Sequence, residues 1–584
     1  MESENDNHFD IPINVRVLEF FRKNINSLSD YLSVNDLLKN QCGINNFFNN
    51  QEEASQLSRI LDEYDDKFLQ IDRREFGDFQ TNLALADQAV DYSYSKFSDI
   101  EFVLEPTCGK GNFIIAALGK IENLKKVVGV EIYKPYVWET KFGILDFFLR
   151  NGSKVKPDID IFHANAFEFD YEELAKSSKD LKTLIIGNPP WVTNSELGSI
   201  DSINLPTKSN FKKYRGLDAI TGKGNFDIGE YISIHMLRCF HRHTGIFAFL
   251  IKNSVIKNIL QDQRLNKYFI GNSESLKIDS KKEFNVSVSA SLFISELNHK
   301  PELVCEEKDF YTSQSITEFG WYKDKFVYSI KDYDASSSID GRSIFTWRSG
   351  VKHDCSKVME LKQVNGHYLN GLKEKVNLEE NLVYGLLKSS DLKQEEANEY
   401  RKQTIITQRK IGQETAYIKT NYPLTYRYLS SNKKYFTKRK SSIYKNKPEF
   451  SIFGIGEYSF APFKVGISGL YKSTHFTLVR PHNSKPVMLD DTCYFIGFSN
   501  LIDAQIAHFL VNSEIVQKFL KSIIFSDSKR SINKDTLMRI DFGKAYEKSS
   551  FEIAKNSISD LSVQEWNKFG QIIKSKESFQ YSLM

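Results

Sequence analysis

The sequence predicts an α/β protein: a central domain with a mostly parallel sheet, preceded by a helical region and followed by a mixed α+β half. Three observations lead there. From Glu101 onward, short apolar runs alternate with amphipathic stretches; a glycine-containing turn follows the first run; and polar residues stand just past the ends of several runs. Alternating strand and helix signals are the mark of βαβ units. In an open α/β sheet, ligands gather beyond the carboxyl ends of the strands near the topological switch point, where these polar residues fall.

The first 70 residues read as helical, with apolar spacing at Val15, Leu18 and Phe21 and again at Leu57, Ile60 and Leu61, around an Asn-rich loop from Gly43 to Asn50. Strands are expected at Phe102-Val103-Leu104, Val127 to Val130, Ile159 to Phe162, Leu184 to Ile186 and Ile246 to Ile251. A further strand pair is expected from Val286 to Ile294, then a boundary at Asn298 to Pro301 and a Ser-rich linker from Asp334 to Gly341. Beyond it lie the strand-like run Tyr494-Phe495-Ile496 and a helical run from Ala504 to Ile524. The domains so drawn are an N-terminal helical extension over 1–75, the sheet domain over 76–335 and a C-terminal domain over 336–584.

At 584 residues the chain exceeds one hydrophobic core. With 41% hydrophobic and 26% charged residues it is globular in composition. No run approaches the roughly 18 to 20 apolar residues of a membrane span, and Met1-Glu2-Ser3-Glu4 lacks a signal pattern, so a cytoplasmic protein with no membrane association is expected. Six scattered cysteines without a C-x-x-C pair argue against structural zinc and a disulfide framework. The net charge of +3 conceals a basic segment: residues 401–450 hold 13 Lys and Arg against Glu414 and Glu449. Such a segment is the footprint of a polyanion-binding surface. The bland alternative is a solvated basic face over a Tyr-rich core.

The chemistry is concentrated in Asn188-Pro189-Pro190-Trp191, directly after Leu184 to Gly187. Proline fixes φ and removes a donor, and the residue before it is held extended. The Asn188 side-chain oxygen and the Pro189 carbonyl can both accept from one planar NH2, while Trp191 offers a stacking face. The alternative is an ordinary Pro-Pro turn with a buried Trp. Upstream, Cys108-Gly109-Lys110-Gly111 is a strand-to-helix turn, but Ile114 stands where a dinucleotide fingerprint needs its third glycine and no phosphate-loop Lys follows, which disfavours NAD, FAD and ATP. Glu105 puts a carboxylate at the first strand end, able to meet an ammonium. Glu131 ends the second strand, where ribose hydroxyls can be held; Ile132 beside it can cover an adenine face, and Asn165 after the third strand can pair with an adenine edge.

In that order, these motifs resemble the S-adenosylmethionine-dependent N6-adenine DNA methyltransferases of the gamma arrangement, over roughly residues 76 to 295. The resemblance implies a Rossmann-like methyltransferase domain, with a target-recognition domain in the C-terminal half. Phe79-Gln80-Thr81 resembles the motif that opens this arrangement. By the resemblance, Thr81, Glu105, Thr107, Gly109 and Gly111 contact the methionine portion of S-adenosylmethionine, Glu131 the ribose, and Ile132, Asn165 and Phe167 the adenine. The family most often has Asp where Asn165 stands. Asn188, Pro189 and Trp191 would act on a flipped-out adenine, which Phe284, in the late motif Lys281 to Ser289, would cover from its other side. The target is double-stranded DNA, no metal is needed, and a cognate restriction endonuclease is an implied partner. Residues 438–498 look like recognition-domain sequence. Phosphate contacts are expected from Lys438, Arg439 and Lys440, and the basic loop 206–225 is a candidate for closing on DNA. Rival readings are a methyltransferase acting on RNA or on a protein glutamine, a methylase fused to a nuclease carrying Glu306-Glu307-Lys308 as its E-x-K, and a non-enzymatic DNA-binding protein.

Overall fold

A computed structural model of the chain describes residues 13–25, 30–63, 80–152, 155–192, 227–397, 399–470, 473–525 and 530–582. Phe79 and the basic loop 206–225 lie outside them. The chain divides into two compact units, Met1–Phe326 and Val327–Met584.

The first unit is built on a ten-stranded sheet: β1 (Phe102–Glu105), β2 (Lys126–Glu131), β3 (Asp158–His163), β4 (Thr183–Gly187), β5 (Gly245–Lys252), β6 (Ile270–Lys277), β7 (Ala290–Leu297), β8 (Val304–Asp309), β9 (Ser315–Tyr322) and β10 (Lys325–Val327). Their spatial order is β10-β9-β8-β6-β7-β5-β4-β1-β2-β3. β1 to β5 are mutually parallel, and β7 is inserted antiparallel between β5 and β6. Every residue of β1 and β4 is buried, as expected of parallel strands covered on both faces, and this is why they read as unbroken apolar runs. The order of the strands reverses between β1 and β4, so the switch point lies between the carboxyl ends at Glu105 and Gly187.

The N-terminal helices, Val15–Asn24 and Tyr31–Cys42, are not an appendage. Val17, Phe21, Val34, Leu38, Phe47 and Phe48 share one core with Trp138, Phe142 and Phe148 of helix Lys134–Arg150. The Gly43 to Asn50 loop docks on edge strand β3: Asn45 donates its main-chain N–H to the Ile159 carbonyl and Ile159 returns one to Gly43, both at 2.9 Å. Lys141 is buried beneath that loop and donates to the carbonyls of Phe47 and Asn46 at 2.8 and 3.1 Å. Burial pulls its pKa down to about 8.

Three expected boundaries move. Residues 286–289 are not strand, and β7 starts at Ala290. Asn298 to Pro301 does not end a domain; it carries the chain past β6, because β7 and β8 flank that strand on opposite sides. The Ser-rich linker is structured. Helix Ile330–Ser336 and a 3-10 turn, Ser337–Ile339, fill most of it, and Asp340 is clasped by Arg539 at 2.6 and 2.9 Å. These residues belong to the second compact unit, which begins at Val327.

The second unit holds a five-stranded sheet, in which Phe463–Ser468 and Cys493–Phe498 pair antiparallel, and a six-stranded sheet that includes Glu360–Val364, Val383–Leu387 and Lys402–Ile405. The expected helical run from Ala504 is two helices, Leu501–Asn512 and Glu514–Ile523. Ser513 is extended between them, while the Asn512 side chain bonds the main chain of Phe476 in both directions. Among the described residues, no helix is long and apolar enough to cross a membrane.

Candidate active site

A cleft open to solvent sits at the switch point. Its walls include Thr81, Glu105, Thr107, Gly109, Glu131, Ile132, Asn165, Phe167, Asn188, Pro189 and Trp191. Of the residues expected around the cofactor and the target base, Gly111 and Phe284 are not among its walls. Gly111 serves packing: its φ is +76°, and a Cβ there would stand 2.6 Å from the Thr140 methyl. Gly109 lines the cleft with φ +51°, and a Cβ on it would come 2.6 Å from the Gln80 amide oxygen.

Glu105 is 2% exposed at the end of β1. Burial first, and the neighbouring Glu131 second, raise its pKa well above the ordinary carboxylate value. Among the described residues its Oε2 has no hydrogen-bond partner, nor has the buried Thr107 Oγ1. A buried carboxylate oxygen beside a second carboxylate is a site for a cation that can donate hydrogen bonds. The ammonium of an amino-acid ligand fits that requirement. Glu131 is held rigidly, its Oε2 accepting from the Gly109 N–H and its Oε1 from the Tyr133 N–H, both at 2.8 Å. Asn165 Oδ1 accepts from the Phe167 N–H at 3.0 Å, so the oxygen expected to face an adenine edge already stabilises the turn that presents Phe167.

The Asn-Pro-Pro-Trp segment is fixed from several sides. Asn188 Nδ2 donates to Thr81 Oγ1 at 3.2 Å. Trp191 is 7% exposed; its indole N–H donates to the Leu250 carbonyl at 3.2 Å, and its own carbonyl accepts from Lys252 Nζ at 3.0 Å. Lys252 is ion-paired with Asp227, whose other oxygen caps helix Ile228–Phe240 through the Gly229 N–H at 3.0 Å. The rings of Trp191 and Phe284 meet edge to face, with centroids 5.0 Å apart and planes at 69°. A flat base between two parallel rings needs two van der Waals contacts, roughly 7 Å in all. The expected slot between Trp191 and Phe284 is therefore closed in this structure.

In the second unit, the Arg439 side chain is engaged by its own chain. It donates to the carbonyls of Ser451 and Phe436 at 2.7 and 3.1 Å, and its guanidinium lies 3.7 Å from the centroid of Tyr444. Lys438 and Lys440 are exposed. Tyr417, Tyr422, Tyr426, Tyr428 and Tyr435 pack against the apolar core, which makes the basic segment a charged face over a Tyr-rich interior. On β8, Lys308 of the E-x-K is paired with Glu274 at 2.7 Å and with Glu306 at 3.0 Å.

Sequence reasoning gave no role to Gln80, Asn112, Tyr133 or Tyr136, which line the cleft, and missed the Lys252–Asp227 pair behind Trp191. A lysine ending an otherwise apolar strand was the available signal for Lys252.

Strand order and motif placement together define a Rossmann-like methyltransferase domain. The chain is 39% identical over 473 residues to the type II methyltransferase M.NspV of Nostoc sp. (strain ATCC 29411 / PCC 7524), a match covering 80% of this chain and 96% of that one. It belongs to the type II methyltransferase family. No family model matches it. Among solved structures, it is similar to the type IIL restriction-modification enzyme MmeI in complex with DNA, with a TM-score of 0.48 and 12% identity over 97% of this chain and 90% of that one. It is also similar to a nuclease-deletion mutant of the type ISP enzyme LlaGI with a DNA substrate mimic, with a TM-score of 0.46 and 12% identity over 93% and 61%.

Proposed function

We propose that the chain transfers a methyl group from S-adenosylmethionine to the N6 amino group of adenine in double-stranded DNA, as the modification enzyme paired with a restriction endonuclease. The observation that carries this reading is the meeting, in one cleft, of the buried, cation-seeking Glu105 with the acceptor pair of Asn188 and Pro189. S-adenosylmethionine supplies an electrophilic methyl group on a sulfonium, together with an ammonium and an adenosine. Glu105 takes the ammonium and Thr107 a polar group of the amino-acid end. Glu131 holds the ribose hydroxyls, and Ile132, Asn165 and Phe167 enclose the adenine.

The amino nitrogen of adenine is a poor nucleophile because its lone pair is delocalised into the ring. Asn188 Oδ1 and the Pro189 carbonyl accept its two N–H groups and favour tetrahedral geometry at nitrogen. This is electrostatic preorganisation at the atom that gains positive charge. The target adenine is rotated out of the duplex, at a cost of roughly a few kcal/mol, and stacks on Trp191 once Phe284 has moved aside. The basic face of residues 401–450 supplies phosphate contacts, with Lys438 and Lys440 among them.

The test is methyl transfer from labelled S-adenosylmethionine to a randomised plasmid library, to RNA and to protein in parallel, with base-resolved detection of the product. The expected result is N6-methyladenine in duplex DNA within one sequence context. Label recovered only in RNA, in protein or on cytosine would overturn the assignment.

A further inference from the structure

The two ends of an asparagine amide have nearly the same shape and opposite hydrogen-bonding character. Only the oxygen suits an amino-group substrate. With the Asn188 amide turned over, its NH2 would face another NH2, and one of the two acceptors would be lost. The extended backbone before Pro189 does not distinguish the two orientations, so a neighbour must.

Thr81 is such a neighbour. It is 5% exposed, and its Oγ1 lies 3.2 Å from Asn188 Nδ2. A hydroxyl that accepts from the amide nitrogen turns the amide oxygen away from itself. Thr81 is itself anchored on the glycine turn. Its carbonyl accepts from Asn112 Nδ2 at 2.7 Å, and the preceding Gln80 accepts from the Lys110 N–H at 3.2 Å. On its other side, Asn82 caps helix Leu83–Lys96 by accepting from the Leu85 N–H at 2.9 Å. Thr81 is thus fixed to both the turn and the helix while its hydroxyl reaches the Asn-Pro-Pro-Trp segment.

We propose that Thr81 is a positioning residue: its hydroxyl holds the Asn188 amide with the oxygen toward the amino group being methylated. This rests on the proposed chemistry at an exocyclic amine, and it gives Thr81 a role other than the contact to S-adenosylmethionine that the resemblance implies. Its position on the glycine turn also sets the acceptor geometry from the same element that shapes the cofactor cleft.

The test compares Thr81→Val, which keeps the shape and loses the acceptor, with Thr81→Ser, which keeps the acceptor, in the full-length chain. For Thr81→Val, kcat falls about 10-fold or more, as expected for one misdirected hydrogen bond, while the Kd for S-adenosylmethionine stays within about 2-fold. Thr81→Ser stays near wild type. On an Asn188→Ala background, Thr81→Val adds little, because the pair acts as one unit. An undiminished kcat, a loss confined to S-adenosylmethionine affinity, or a full further loss on the Asn188→Ala background would each overturn the proposal.

Product analysis separates this from the base assignment. Label on the cytosine amino group would remove the adenine reading and leave the Thr81 comparison intact, since either amine needs two acceptors. A readout independent of turnover is hydrogen exchange of the Asn188 side-chain amide in a selectively 15N-asparagine-labelled chain. Faster exchange in Thr81→Val is expected; an unchanged rate would show that Thr81 does not hold the amide.

Discussion

Lys252 reaches from the end of β5 to the main-chain carbonyl of Trp191, 3.0 Å away, and is ion-paired there with Asp227. Both charged side chains are 13% exposed, so each offsets the other's charge where little water reaches. Replacing Lys252 by Met would leave Asp227 as an uncompensated, part-buried charge and remove the Lys252 bond to the Trp191 carbonyl. The expected loss is about 3 to 5 kcal/mol of unfolding free energy, read by urea titration. The double variant Lys252→Met/Asp227→Asn should recover a substantial part of it, since removing both charges avoids leaving one of them unpaired. A double variant as unstable as the single would mean that the pair does not carry this energy.

Glu105 gives the protein a characteristic pH dependence. Its folded-state pKa lies well above the ordinary value of 4.5, first through burial and then through Glu131. The folded state thus keeps a proton that the unfolded chain releases, and the stability of the ligand-free protein should fall as pH rises above about 4.5 toward the folded pKa. Thermal midpoints across that window would show the decline. Glu105→Gln should flatten it and raise ligand-free stability at neutral pH. The same substitution should weaken S-adenosylmethionine binding roughly 10- to 100-fold, the effect of losing a charged hydrogen-bond partner, measured by calorimetry.

The parts of the sheet and cleft that were legible in the sequence were those whose signal is local. β1 and β4 are buried on both faces, so their composition alone betrays them, and polar residues just past strand ends mark the cleft because the fold places ligands there. What escaped notice depends on partners distant in sequence. The Ser-rich stretch before Gly341 read as a linker because the residue that clasps Asp340 is Arg539, 199 positions on. Lys252, just past the expected run from Ile246 to Ile251, drew no reading because Asp227 reaches it only once the sheet has formed. Arg439 counted as a free cation because composition does not reveal that two main-chain carbonyls and a tyrosine ring already surround it.

The edge-to-face contact between Trp191 and Phe284 predicts that a flipped base and this contact exclude each other. Phe284→Ala removes a contact of about 0.5 to 1.5 kcal/mol from the closed form and, equally, the second cover of the base in the open form. With 2-aminopurine at the target position, the variant should give a brighter complex than wild type, because the extruded base stacks on Trp191 alone. S-adenosylmethionine affinity should be unchanged. Equal fluorescence for the two proteins would show that Phe284 does not touch the base.

The three adjacent cations of the basic segment should separate into two kinds. Neutralising an exposed lysine that touches a phosphate lowers the slope of log K against log salt by about one and leaves stability nearly alone. Lys438→Ala and Lys440→Ala should behave so, and together they should reduce the slope by about two. Arg439 instead ties residues 436 to 451 together through the Phe436 and Ser451 carbonyls and covers the Tyr444 ring. Arg439→Ala should lower unfolding free energy by about 1 to 3 kcal/mol, the cost of leaving a part-buried acceptor unsatisfied, with the salt slope unchanged where the variant is folded. DNA-binding isotherms at four salt concentrations, with urea unfolding of the three single variants and the double one, make the comparison. A reduced slope for Arg439→Ala at full stability would return that guanidinium to the DNA-facing surface.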